Sequence, residues 1–317
     1  MAPLAAAREL SLEADGKLRS LAAIAEAQTR LGWGEAPGRW CVLGLGKFGG
    51  QEMRLGSDLD LVFVYSPAPG ADEAEAGVWF CGLARELTRL LTAAPDWRDA
   101  HDVDFRLRPH GEDGPLATPV SGLTHYLRTE VETWELMALT RLRYVAGCVL
   151  LAREVAAEAR AAMIRARAVV FTEARAMRCL MEQEQGPAQT WDVKRRPGGL
   201  IDIEFIVQAL QIESLAGGAP VLKANTGEAI AALAQAGILK PREAGLLAEA
   251  WRFCSSIRQL QAALALSDLS RAAPEHREAV RTGVGHVGAP LTQRLGRLSL
   301  RVRAELEARL GRVENAA

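Results

Sequence analysis

The sequence predicts an α+β fold, a small mixed sheet packed with helices and followed by an all-helical domain, and three observations carry that prediction. Three short apolar runs, Trp40 to Leu45, Leu59 to Tyr65 and Val103 to Leu107, have strand length and are bounded by glycine- or proline-bearing turns. Alanine- and leucine-rich stretches around them repeat at helical spacing. From about Tyr126 onward only helical periodicity is found. The expected divisions are a helical segment over residues 1–38, a sheet-bearing domain over 39–125 and a helical domain over 126–317.

In chain order, Leu4 to Leu31 reads as a helix and Gly32 to Gly38 as the loop into the first strand. At the end of that strand Gly44, Gly46, Gly49 and Gly50 let the backbone turn sharply and bring N–H groups close to a phosphate, where Lys47 adds a point charge. Ser57, Asp58 and Asp60 open the second run. Side chains on a strand alternate faces, so Asp58 and Asp60 point one way while Leu59 and Leu61 point into the core. Two acids one strand repeat apart, roughly 6.5 Å between Cα atoms, can hold a hard cation such as Mg²⁺ against a nucleotide triphosphate. A glycine turn with a lysine, followed by alternating carboxylates, is the layout of a nucleotidyl-transfer site. Ser66 to Gly77 is expected to be an exposed connection, and Val78 to Leu91 a helix that buries Phe80, Leu83, Leu87, Leu90 and Leu91. The third run places Asp102, Asp104, Arg106 and Arg108 on one face and Val103, Phe105 and Leu107 on the other. Such a face suits a third carboxylate beside the metal, with guanidinium groups to neutralise phosphate charge. Pro109 to Pro115 ends it in a turn-rich loop.

Gly44-x-Gly46-x-x-Gly49 also matches the dinucleotide-binding fingerprint, but its context differs. That fingerprint opens a full crossover helix and meets its ribose-binding acid about 20 residues later. Here only Gly49 to Gly56 separate the turn from the acidic strand, room for about two helical turns at most.

Composition narrows the function classes. The 317 residues are 49% hydrophobic, enough for a sizeable core and two domains, and the net charge of -1 argues against a nucleic-acid binder. Arg294, Arg297, Arg301, Arg303, Arg309 and Arg312 cluster near the end but alternate with Leu295, Leu298, Val302, Leu306 and Leu310, as on the solvated face of an amphipathic helix. Cys41, Cys81, Cys148, Cys179 and Cys254 are scattered singly, with no CxxC pair and no histidine at ligand spacing, which argues against a zinc or disulfide framework. Charged residues from Arg8 to Lys17 interrupt any signal-peptide core, and no apolar run is long enough to span a bilayer. A cytoplasmic protein with no membrane partner is expected.

Four blocks then carry a resemblance: GLGKFGGQEM with GSDLDLVFVY, VDFRLRP followed by GPLAT, ETWELMALTRLRYVAG, and WDVKRRPGGLIDIEFIVQALQ. In order and spacing the chain resembles the glutamine synthetase adenylyltransferases, bifunctional bacterial enzymes with two related nucleotidyltransferase units in one long chain. The weaker similarity of LKANTGEAIAALAQAGIL continues it. The resemblance implies a much longer family chain, so these residues are expected to be a piece of one or the product of a split gene. Thr133-Trp134-Glu135, Arg141 and the Ile201-Asp202 pair look like the C-terminal, adenylylating unit rather than the deadenylylating one. The chain departs from the family at Leu136, where histidine is common, and at Phe105, where valine or methionine is usual.

The resemblance implies transfer of AMP from ATP to a tyrosine of glutamine synthetase with release of pyrophosphate. Asp58 and Asp60 would hold Mg²⁺, Asp104 would complete the metal site or take the tyrosine proton, and Gly46, Lys47, Gly49 and Ser57 would grip the triphosphate. It also implies glutamine synthetase as partner and a PII-type signalling protein as a possible regulator. Two rival functions stand beside it: phosphorolytic deadenylylation, and a non-catalytic regulatory module that binds proteins, against which the three intact aspartates count. Trp134, Leu139 and Leu142 read as packing residues, with Glu135, Arg141 and Arg143 ambiguous. Asp202 and Glu204 are either helix-end acids or cleft residues. Lys194, Arg195 and Arg196 either face the nucleotide or form a solvated run. The region beyond Tyr126 is expected to recognise the protein substrate.

Overall fold

The computed structural model describes residues 3–93, 101–186, 189–285 and 290–312. The chain divides into two compact units, one formed by Arg8–Ala162 and one by Met1–Ala7 with Met163–Ala317.

The first unit is built on a five-stranded mixed sheet. After helix α1 (Pro3–Trp33) the chain forms β1 (Gly38–Gly44), the single turn α2 (Gly46–Gly49) and β2 (Leu59–Pro67). It continues through α3 (Glu73–Ala93), β3 (Val103–Asp104), β4 (Ala117–Pro119), α4 (Val120–Thr129), α5 (Thr133–Leu139), β5 (Arg143–Gly147) and α6 (Val149–Ala166). Strands β3, β2, β1 and β5 lie in that order, and β4 also pairs with β2. β1 runs antiparallel to β2 and β5, whereas β3 and β4 run parallel to β2.

The register explains the core. Trp40 lies opposite Tyr65, Val42 opposite Phe63 and Gly44 opposite Leu61, so one sheet face collects the large side chains. They join Leu18, Ala22 and Ala25 of α1 and Phe80, Leu83 and Leu87 of α3 in one buried cluster. Trp40 stacks on Phe63 at 5.4 Å and Tyr65 on Phe80 at 4.6 Å between ring centroids. Each such ring contributes about 1.5–3 kcal/mol by leaving water. On the opposite face Leu43 and Val62 lie opposite each other in register and help line a small cavity with Leu123, Tyr126, Leu139 and Val155.

Three expectations are corrected here. Helix α3 begins at Glu73, inside the stretch taken for an exposed connection, because the Asp72 carboxylate accepts the backbone N–H groups of Ala74 and Glu75 and so caps the helix. The third predicted strand stops after Asp104, because the Asp104 carboxylate accepts the backbone N–H of Arg106 at 2.8 Å and folds the chain into an Asx turn. Beyond Tyr126 the structure is not helical throughout: Arg143–Gly147 is a strand that pairs with β1, and the first unit runs on to Ala162.

The second unit contains α7 (Val170–Gln185), α8 (Leu200–Ser214), α9 (Thr226–Gln235), α10 (Pro241–Ala263), α11 (Pro274–Gly283) and α12 (Leu291–Leu310), with no strand among its described residues. α8 is buried on nearly every side, from Leu200 to Ile212, as a helix apolar all round must be. α7, α9, α10 and α12 pack around it. Among the described residues no helix is long and apolar enough to cross a membrane.

Candidate active site

β1 and β2 position the site. Gly46 adopts a φ of +53°, a conformation that glycine takes at no steric cost. A Cβ at this position would land on the Asp60 carboxylate, so the turn can touch that acid only because residue 46 has no side chain. The backbone N–H of Leu45 donates to the Asp60 carbonyl at 2.9 Å, which fixes the two segments side by side. A Cβ at Gly49 would strike the carbonyl of Arg141. We expect Gly46→Ala to displace the Asp60 carboxylate and lower nucleotidyl transfer by about a hundredfold, as a misplacement of about an ångström does. Near-normal transfer in that variant would remove the turn from the site.

Below the turn sits an ion network. Lys47 Nζ lies 3.1 Å from Oε2 of Glu52, and Nη1 of the buried Arg141 lies 3.3 Å from the same oxygen. Arg141 also donates to the Gly46 carbonyl at 3.4 Å. Arg143 donates to the carbonyls of Phe48 and Gly49, each at 2.9 Å, and makes a bidentate pair with Asp15 of α1 at 2.8 and 2.9 Å. Asp15, Glu52, Arg141 and Arg143 therefore hold the glycine turn, and sequence reasoning had not singled them out for this. The RLRY block pointed to the two arginines only as ambiguous, and nothing in the sequence connects Asp15 to residues more than 30 positions away.

The acids follow from the parallel pairing of β2 and β3. Leu59 lies opposite Val103 and Asp60 opposite Asp104, so the two carboxylates are neighbours across the ladder, about 4.8 Å apart at the backbone. Asp58 is exposed one strand repeat before Asp60, while Leu59 and Leu61 are fully buried, in keeping with the alternation. Ser57 is buried; its hydroxyl accepts the Arg54 N–H at 3.0 Å and its carbonyl accepts from His101 Nδ1 at 2.7 Å.

Arg106 and Arg108 do not share a strand face with these acids, because the strand has already ended. Arg106 turns back on Asp104, its Nε 2.9 Å and its Nη2 2.5 Å from Oδ2, and these bonds hold the Asp104 carboxyl below its ordinary pKa. Arg108 donates to the carbonyls of Phe105, Glu112 and Gly114 and so organises the loop over residues 105–116.

Three aspartates supply the hard oxygen donors that Mg²⁺ takes, and the sheet sets two of them side by side. Yet among the described residues no three His, Cys, Asp or Glu side chains converge to hold a metal ion. The donor chemistry fits the ion; the Asp104 carboxylate is engaged by Arg106. The apolar cavity behind Leu43 and Val62, about 30 Å³, admits a water-sized guest and is too small for a nucleotide base.

Elsewhere, Trp134 is 42% exposed, not a packing residue, and Glu135 accepts both the Glu132 N–H and the Tyr126 hydroxyl. Leu136, at the position where histidine is common, is buried. Asp202 is fully buried in the second unit: it accepts the Gly198 N–H at 2.7 Å and pairs with Arg178 at 2.6 Å and Arg303 at 3.3 Å. This gives Asp202 a helix-start and core role. Arg195 pairs with Asp192, and Arg196 is half-buried and donates to the Thr190 carbonyl, so this run is not simply solvated. Nor are the arginines of α12 all solvated, since Arg294 pairs with Glu249, Arg303 with Glu182 and Arg309 with Glu243.

The mixed sheet, the glycine turn against Asp60 and the Asp60–Asp104 register pair define a nucleotidyltransferase-type α+β unit. Residues 12–158 match the family model described as glutamate-ammonia ligase adenylyltransferase. Residues 172–286 match the model described as GlnD PII-uridylyltransferase. Three curated relatives each carry the name bifunctional glutamine synthetase adenylyltransferase/adenylyl-removing enzyme. That of Caulobacter vibrioides is 42% identical over 248 residues, 75% of this chain and 25% of the relative. That of Rhizobium meliloti is 37% identical over 246 residues, 74% and 25% of the two chains. That of Chromobacterium violaceum is 37% identical over 266 residues, 81% and 28%. The chain thus spans about a quarter of the length of these relatives.

Proposed function

We propose that this chain transfers AMP from ATP to a tyrosine hydroxyl of glutamine synthetase and releases pyrophosphate. The observation that carries this reading is the contact of the Gly46 turn with Asp60, itself the register neighbour of Asp104, which sets the glycine turn against a pair of carboxylates. The names of the relatives support the substrate class. Asp58, Asp60 and Asp104 would hold Mg²⁺, which would supply charge neutralisation to the phosphates. Gly46 and Gly49 bring backbone close to the triphosphate and Lys47 contributes a positive charge beside it. Ser57 has accepted from Arg54 and retains its O–H to donate. Arg106 meets the phosphate charge at the open side of the site, and Arg108 serves that end by ordering the loop that carries it. Asp104 either completes that metal site or takes the tyrosine proton.

The assignment to the adenylylating unit rests on the resemblance of the TWE, ALTR and PGGLIDIEF segments, and phosphorolytic deadenylylation is the alternative direction of the same chemistry. A PII-type signalling protein as regulator is supported by the match of residues 172–286 to a family whose name includes PII. Incubation with labelled ATP, Mg²⁺ and unmodified glutamine synthetase tests the reading. Labelled synthetase and pyrophosphate are expected, and inorganic phosphate with the modified synthetase should yield little ADP. The reverse preference would move the chain to deadenylylation, and neither product would leave a binding module.

A further inference from the structure

We propose that Arg106 is a positioning residue that controls when the metal site assembles. In the nucleotide-free chain it holds Asp104, and it releases that carboxylate to the metal when the triphosphate takes the guanidinium. The proposal rests on the metal-site reading above and deepens it.

Three donors of one residue converge on one carboxylate. The Arg106 backbone N–H and Nε lie 2.8 and 3.1 Å from Asp104 Oδ1, and Nε and Nη2 lie 2.9 and 2.5 Å from Oδ2, so both oxygens that a cation would use are engaged. The backbone bond belongs to the turn and can persist when the side chain leaves, whereas the guanidinium bonds block the approach of a cation. The Arg106 side chain is 67% exposed, so it can rotate away without unpacking anything, while Asp104 is fixed beside Asp60 by the strand register. Asp58 also acts on the Arg106 charge, so the guanidinium stands within the field of two of the three acids. A triphosphate also offers pairs of oxygens that a guanidinium can engage bidentately, with more negative charge, and is the better partner for an arginine. A metal and a triphosphate arriving together therefore exchange partners with Asp104 and Arg106, while a metal alone must compete with the guanidinium.

Binding of Mn²⁺ to the full chain, followed by the electron paramagnetic resonance of the free ion, tests this without reference to turnover. Without nucleotide, Arg106→Gln is expected to bind Mn²⁺ about fivefold more tightly than the parent chain, the factor that corresponds to losing a competing exposed ion pair of the stronger, bidentate kind. Arg106→Lys, which keeps the charge but not the fork, should fall between the two. A non-hydrolysable ATP analogue should raise Mn²⁺ affinity more in the parent chain than in Arg106→Gln. Equal or weaker Mn²⁺ binding in Arg106→Gln without nucleotide, with an unchanged circular dichroism spectrum, would overturn the proposal. Asp60→Asn serves as the separate control: if it binds Mn²⁺ as well as the parent, the metal-site reading itself fails; if it loses Mn²⁺ while Arg106→Gln binds no tighter, only the exchange is wrong.

Discussion

Asp60→Asn is expected to reduce AMP transfer about a thousandfold or more while leaving the fold intact. The substitution keeps shape and hydrogen-bonding size but removes one unit of negative charge from the proposed cation site, and losing a direct ligand exceeds the 10–100-fold cost of losing a group that only supports one. Asp60 occupies a central place: its carboxylate fills the space over Gly46, its carbonyl accepts the Leu45 N–H, and its neighbour across the ladder is Asp104. Only the first of these changes character in the asparagine variant, so strand pairing and circular dichroism should be preserved. Measured incorporation of labelled AMP near the parent level would sink the assignment of Asp60 as a metal ligand.

The largest stability effect is expected at Asp202. Arg178 is 1% exposed and Asp202 0%, and with Glu182 and Arg303 they form a closed charge network inside the helical unit. Asp202→Ala leaves Arg178 with less compensation in a place that water does not reach and deprives the Gly198 N–H of its acceptor, a loss of about 3–5 kcal/mol. The double variant Arg178→Met, Asp202→Leu replaces charge by packing and should be far less destabilised than the single variant, because a buried ion pair barely repays its own desolvation. Urea unfolding of the three proteins checks this. If the double variant loses as much as Asp202→Ala, the network is not the source of the effect.

These two residues also show how far the sequence was legible. Asp58, Asp60 and the glycine turn follow from period-two alternation and from glycine placement, which are local signals, and the α+β class followed from the same patterns. The second acid of the register pair was visible as Asp104, but its strand was drawn too long, since alternation over Val103 to Leu107 says nothing of a side chain that caps its own chain two residues on. Arg143–Gly147 was missed because five residues, RYVAG, inside a helical context carry too few positions for periodicity to separate strand from helix. That omission matters: a fragment cut near Gly122 would lose a strand of the sheet and both arginines under the glycine turn. Asp202 was left open between a helix start and the cleft, and the partners that place it in the core, Arg178 and Arg303, lie 24 and 101 residues away, beyond any local rule.

The interrupted strand has a consequence for solubility as well as for chemistry. A sheet edge is a template on which other chains add strands, and long flat edges invite aggregation. Here the edge beside β2 is shared by a two-residue and a three-residue piece. At the other end of the sheet, Arg19 takes the Val145 carbonyl at 2.7 Å and Tyr144 takes that of Gly147 at 2.8 Å. Among the described residues neither border gives an incoming strand a long register of open donors and acceptors, so the turn that ends β3 just past Asp104 also guards the molecule against stacking on its own copies.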